Sequence, residues 1–126
     1  MKRLLLDTHT LLWWLADDRD LSEVARDAIA APENTVFLSA VVVWEIRIKQ
    51  ALGKLRIPRA FAEVLRAEAF VELPVTVAHA DALAGLALHH RDPFDRMLIA
   101  QASVETLSIV TRDTAFAPYG IDLVLA

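Results

Sequence analysis

The sequence predicts an α/β fold in which a parallel sheet of about five strands is covered by helices on both faces. Two observations predict it. Short runs of consecutive apolar residues recur along the chain, and helical patterns separate one run from the next. Strands that read as continuous apolar runs, rather than alternating with polar residues, are strands buried on both faces.

The elements follow in order. The first strand is Arg3–Leu6, and a helical stretch follows over 10–16. Ser22 is the N-cap of a second helix, 22–31, after which Pro32 stops the pattern. The run 36–39 is the second strand; Ser39 caps a helix over 40–52, and Gly53 terminates it. A helix over 58–68 leads to a strand at 70–73, and a helical pattern covers 77–89. Asp92 and Pro93 supply the N-cap and first residue of the helix 93–105. Strands at 107–111 and 122–125 complete the sheet. With no repeat, linker or low-complexity segment, residues 1–126 are expected to form one domain.

Composition narrows the function. Of the 126 residues, 56% are apolar and mean hydropathy is +0.39, which rules out a disordered chain and suggests apolar surface shared with a partner. The absence of cysteine excludes disulfides, thiolate zinc sites, iron–sulfur clusters and thiol nucleophiles, and points to a reducing cytoplasm. Before Asp7 the apolar run lasts three residues, too short for a signal peptide, and the window 36–44 is far too short for a membrane span. Thirteen Lys+Arg against 17 Asp+Glu give a net charge of −4, which argues against a surface basic all round. A local basic strip, or phosphate binding through metal ions, stays open.

Open parallel sheets bind ligands beyond the carboxyl ends of their strands. Asp7 directly follows the first strand, and Asp113 sits two residues beyond Thr111, so both belong to that edge. On the helix after Ser39, residues Val41, Glu45, Ile48 and Leu52 share one face, which leaves Glu45 inside an apolar stripe while Val42 and Lys49 point elsewhere. Asp95, in the first turn of the helix 93–105, shares a face with Leu98 and Ala102. Four carboxylates thus converge with no Lys or His expected to neutralise them, and hard divalent cations relieve such self-repulsion. Each acid also has a purely structural role open to it. Asp92 reads as an N-cap, Asp95 as the N3 partner of a capping box, Asp113 as a turn residue, and Glu45 as an ion-pair partner of Arg47 or Arg96.

Other chemistries lack their parts. The three glycines, Gly53, Gly85 and Gly120, form no phosphate loop, and there is no Gly-x-Ser-x-Gly elbow. His9, His79, His89 and His90 have no zinc spacing, although His9 stands where it can touch substrate. An aspartyl-phosphate enzyme wants a second aspartate where His9 stands, and a phospho-receiver wants a lysine after a late strand. What remains is hydrolysis of a phosphodiester with Mg²⁺ or Mn²⁺. Between residues 46 and 62 the chain carries Arg47, Lys49, Lys54, Arg56 and Arg59 and no acid, a local reversal of charge suited to a phosphate backbone.

These residues resemble the PIN domain, and within it the VapC-type toxins of toxin–antitoxin pairs. The resemblance is carried by LLDTHTLLWWL at 5–15, SAVVVWEIRIK at 39–49, ALGKL at 51–55, HRDPFDRMLIAQA at 90–102 and TRD at 111–113. It implies a three-layer α/β/α sandwich, Mg²⁺- or Mn²⁺-dependent endoribonuclease activity in the cytoplasm, a homodimer, and an antitoxin that inserts a segment into the groove and builds a higher assembly. It implies that Asp7, Glu45, Asp95 and Asp113 are the acidic quartet, Asp7 and Asp95 foremost as metal ligands, supported by Thr8 and Thr111. The first helix, with Leu11, Leu12, Trp13 and Trp14, is apolar nearly all round and suits burial by a second subunit or an antitoxin; Trp44 is expected to pack and fix the helix of Glu45. Alternatives are a housekeeping RNA-processing nuclease, a non-catalytic metal- or RNA-binding module, and a phosphatase acting on small phosphomonoesters.

Overall fold

The structure is a computed structural model that describes residues 1–89 and 91–126. His90 lies outside the described residues. Five strands, β1 (Arg3–Leu6), β2 (Thr35–Ser39), β3 (Val71–Leu73), β4 (Ser108–Thr111) and β5 (Leu123–Leu125), form one sheet in the order β3-β2-β1-β4-β5. Every pairing is parallel, with Leu4 opposite Val36 on one side and Ser108 on the other. The helices are α1 (Thr8–Leu15), α2 (Glu23–Ala30), α3 (Ala40–Ala51), α4 (Phe61–Ala67), α5 (Val77–Ala82) and α6 (Pro93–Glu105), with 3-10 turns at Leu83–Gly85 and Thr114–Tyr119.

Continuous apolar sequence in β1 has the expected cause. Leu4, Leu5 and Leu6 are each 0% exposed, and because successive strand residues face opposite ways, both faces of the sheet are covered. Ile109 and Val110 of β4 and Leu11 of α1 are equally buried beside them. Around this core α5 packs on α6, α6 on α3, and α3 on α1. The result is the α/β/α sandwich.

Ser22, Ser39 and Asp92 are N-caps as the sequence predicts, and Gly53 follows α3 with φ +71, a left-handed value that favours glycine. Three elements differ. The first helix starts at Thr8 because Asp7 itself is the cap. The expected helix 58–68 begins only at Phe61. The pattern at 77–89 is helical to Ala82, then tightens into the 3-10 turn ending at Gly85, and Leu86 is extended. Gly85 gives poor support to a continuing helix at that point.

Candidate active site

Because the sheet is all parallel, its carboxyl ends lie on one edge. Asp7 follows β1 there in extended conformation, and its Oδ1 accepts the Thr10 N–H at 3.0 Å, capping α1. Its Oδ2 accepts the Thr111 hydroxyl at 2.5 Å from the end of β4. The same Thr111 oxygen accepts the Asp113 N–H at 3.0 Å. One hydroxyl thereby joins two of the expected acids, itself 104 residues from Asp7 in sequence. Asp7 is only 7% exposed, so these contacts fix the carboxylate in one orientation. Asp113 is exposed, and its Oδ1 caps the following 3-10 turn by accepting from Ala115.

Glu45 is buried on α3, and its Oε1 accepts the Thr8 hydroxyl at 2.6 Å. Its other oxygen, Oε2, meets Lys49 Nζ at 2.5 Å. This corrects the sequence reading, in which Lys49 faced away, the acids had no lysine among them, and Arg47 or Arg96 was the alternative partner. The buried side of α3 holds Val41, Val42, Glu45 and Ile46, whereas Leu52 is largely exposed. The buried face is rotated from the expected stripe towards Val42 and Ile46, and Lys49, one turn after Glu45, reaches back to its carboxylate. The Lys49 ammonium is held above the usual lysine range, chiefly by its hydrogen bond to Glu45, with Asp92 and Asp95 adding to the attraction against a partial loss of hydration. The (i, i+4) spacing of Glu before Lys was the available signal for this pair.

Asp95 is half-buried in the first turn of α6, and its N–H donates to Asp92 Oδ1 at 3.1 Å, as does that of Phe94 at 2.8 Å. Two contacts tie α6 to α3. Ser39 Oγ caps α3 at the Val41 N–H and donates to Gln101 Oε1 at 2.6 Å, both residues being 0% exposed. Trp44, 60% exposed, meets Phe94 edge to face at 5.1 Å. It braces the helix of Glu45, as expected, from the surface and not from the core.

The described structure thus links Asp113, Thr111 and Asp7 by hydrogen bonds, Thr8 to Glu45, Glu45 to Lys49, and Lys49 electrostatically to Asp95. Among the described residues, no three His, Asp or Glu side chains come close enough to surround one ion. The donors are nonetheless carboxylate oxygens, which suit Mg²⁺ or Mn²⁺ over zinc. The ammonium against Glu45 marks a spot that already takes up positive charge.

Of the expected basic strip, Arg47, Lys54, Arg56 and Arg59 are exposed, and Lys49 turns into the acids instead. Arg47 lies over the Phe61 ring at 5.2 Å, beside a groove of about 690 Å³ between α3 and α4 that reaches Ser39 and Trp44 but none of the four acids. His9 is exposed and tilted against Trp13 at 5.9 Å; Arg112 covers the same Trp13 ring at 4.4 Å. Leu12, Trp13, Trp14 and Leu15 are half-buried within this chain. No described helix is long and apolar enough to cross a membrane.

Among curated proteins none matches the chain by sequence. Its fold is similar to that of solved structures. Against a chain of DNA-bound VapBC from Salmonella typhimurium the TM-score is 0.74, at 18% identity and 98% coverage of both chains. Against VapBC2 from Rickettsia felis bound to a promoter DNA fragment it is 0.73, at 13% identity and 97% of both. Against VapBC-5 of Mycobacterium tuberculosis, a member of the VapBC family of toxin–antitoxin systems, it is 0.64, at 19% identity and the whole of both. At these identities the likeness is one of fold. The family model described as the PIN domain matches residues 4–121. The chain belongs to the PIN domain family.

Proposed function

We propose that this chain is a Mg²⁺- or Mn²⁺-dependent endoribonuclease, a single PIN domain over residues 1–126, acting in the cytoplasm as the toxin of a toxin–antitoxin pair. The observation that carries the reading is a pair of buried carboxylates, Asp7 and Glu45, each oriented by a threonine hydroxyl at the carboxyl edge of a PIN-domain sheet. Burying two acids in register with hydroxyl donors costs stability that a merely structural edge has no need to spend.

In this reading Asp7 and Asp95 are the foremost metal ligands, with Glu45 and Asp113 completing the set. Thr8 and Thr111 hold Glu45 and Asp7 in position. When bound, the metal supplies an activated water and neutralises the charge developing on the scissile phosphate. Arg47, Lys54, Arg56 and Arg59 draw in the RNA backbone. The likeness to VapBC structures supports an antitoxin as partner, and the half-buried apolar face of α1 supports a homodimer or antitoxin cover.

The test is cleavage of total cellular RNA by the purified, antitoxin-free chain in Mg²⁺, Mn²⁺ and EDTA. Discrete fragments are expected with either metal, none in EDTA, and none from folded Asp7→Asn or Asp95→Asn. Folded wild-type protein that cuts no RNA in either metal refutes the nuclease reading and leaves the binding module. Turnover of an aryl phosphate in its place favours phosphatase chemistry.

A further inference from the structure

We infer that Lys49 is the built-in counter-cation of the acidic site: its ammonium holds Glu45 before a divalent ion arrives, and its charge sets how tightly that ion binds. The inference rests on the metal-dependent reading above.

Three observations carry it. Both oxygens of Glu45 are engaged, Oε1 by the neutral Thr8 hydroxyl and Oε2 by the Lys49 ammonium, and the carboxylate side chain is only 7% exposed. Lys49 is therefore the charge partner of an acid that burial would otherwise leave expensive. Next, the ammonium is attracted by acids of two elements, Glu45 on α3 and Asp92 and Asp95 at the start of α6. A cation shared by those carboxylates belongs in the same crevice. Last, Lys49 Nζ stands 2.5 Å from Glu45 Oε2, so an ion that recruits Glu45 does so against a positive charge already in contact with it.

An ordinary structural ion pair on a helix makes a different prediction. It loses some stability when broken but leaves metal affinity alone. A counter-cation repels the incoming ion, and one unit charge acting on a divalent ion about 6 Å away in a water-like medium alters affinity by roughly tenfold.

The experiment is Mn²⁺ titration of the full chain by calorimetry, on wild type, Lys49→Gln and Lys49→Arg, with folding checked by thermal denaturation in EDTA. Lys49→Gln keeps a donor for Glu45 without the charge and is expected to bind Mn²⁺ about tenfold more tightly than wild type. Lys49→Arg keeps the charge and is expected to match wild type. Unchanged or weaker binding by Lys49→Gln, or an equal gain in Lys49→Arg, overturns the inference while wild-type binding keeps the metal reading standing. If neither wild type nor Lys49→Gln takes up Mn²⁺, the metal reading fails and the inference with it. If Lys49→Gln is unfolded in EDTA, Mn²⁺ is expected to restore the fold by replacing the lost charge, and failure to restore it is refutation.

Discussion

Ser39→Ala tests how the two acid-bearing helices are held together. The hydroxyl has two tasks: it caps α3 at the Val41 N–H, 3.1 Å away, and donates to Gln101 Oε1 on α6, 2.6 Å away. Loss of an N-cap costs about 1 kcal/mol. Loss of the second bond leaves a carbonyl oxygen of a fully buried glutamine without its hydroxyl donor, worth about 1–3 kcal/mol more. The sum, about 2–4 kcal/mol, should lower Tm by roughly 10 °C in a domain of this size. Urea denaturation in EDTA measures it as a lower midpoint with an unchanged slope. In the double variant Ser39→Ala, Gln101→Met the two losses should be less than additive by about 1 kcal/mol, because the second substitution removes the stranded acceptor. A single-variant loss below about 0.5 kcal/mol, or full additivity, would refute the claim that this bond pins α3 to α6.

Other outcomes follow from the same structure. Lys49 has its folded pKa raised above the unfolded value of 10.5, so its pair with Glu45 contributes fully below that pH and is lost as pH rises through the folded value. In EDTA, the urea-midpoint gap between wild type and Lys49→Met should hold from about pH 8 to 10 and narrow above 10.5; a gap that widens there contradicts the ion pair. Asp7→Asn keeps an oxygen for the Thr10 N–H and should stay folded while RNA cleavage falls at least a hundredfold, on the order expected for a lost metal ligand; near-normal cleavage would remove Asp7 from the site. Reversing charge at both exposed arginines, Arg56→Glu with Arg59→Glu, should weaken RNA binding and flatten its dependence on salt, and an unaltered salt slope would take the strip out of the RNA path.

The sheet was legible because its evidence is redundant. Leu4, Leu5 and Leu6 are buried whichever way each faces, so no register had to be guessed. The edge carrying Asp7 and Asp113 was legible for a related reason: parallel strands put all their carboxyl ends together. What the sequence concealed lay in rotations and distant pairings. A modest turn of α3 about its axis put Val42 and Ile46 into the core and Leu52 outside it, an angle that a periodicity count does not resolve, whereas Glu45 and Lys49, one turn apart, are neighbours on any helix. The Thr111–Asp7 bond spans 104 residues and leaves no local trace. The break after Ala82 was hidden by an alanine- and leucine-rich stretch whose helix propensity runs past the point where the structure leaves the α-helix.

The strand order also sets a timetable. β1 is the first strand made, yet one of its two neighbours is β4, whose first residue is Ser108. Chains are synthesised from the N-terminus, and pairings between distant segments form late. Until Thr111 has left the ribosome and β4 has docked, Asp7 lacks the hydroxyl that orients it and Asp113 has no place beside it. A half-made or truncated chain therefore carries the first acid but not the assembled centre. The hydrogen-bonded link from Asp7 through Thr111 to Asp113 forms only once β4 has joined the sheet.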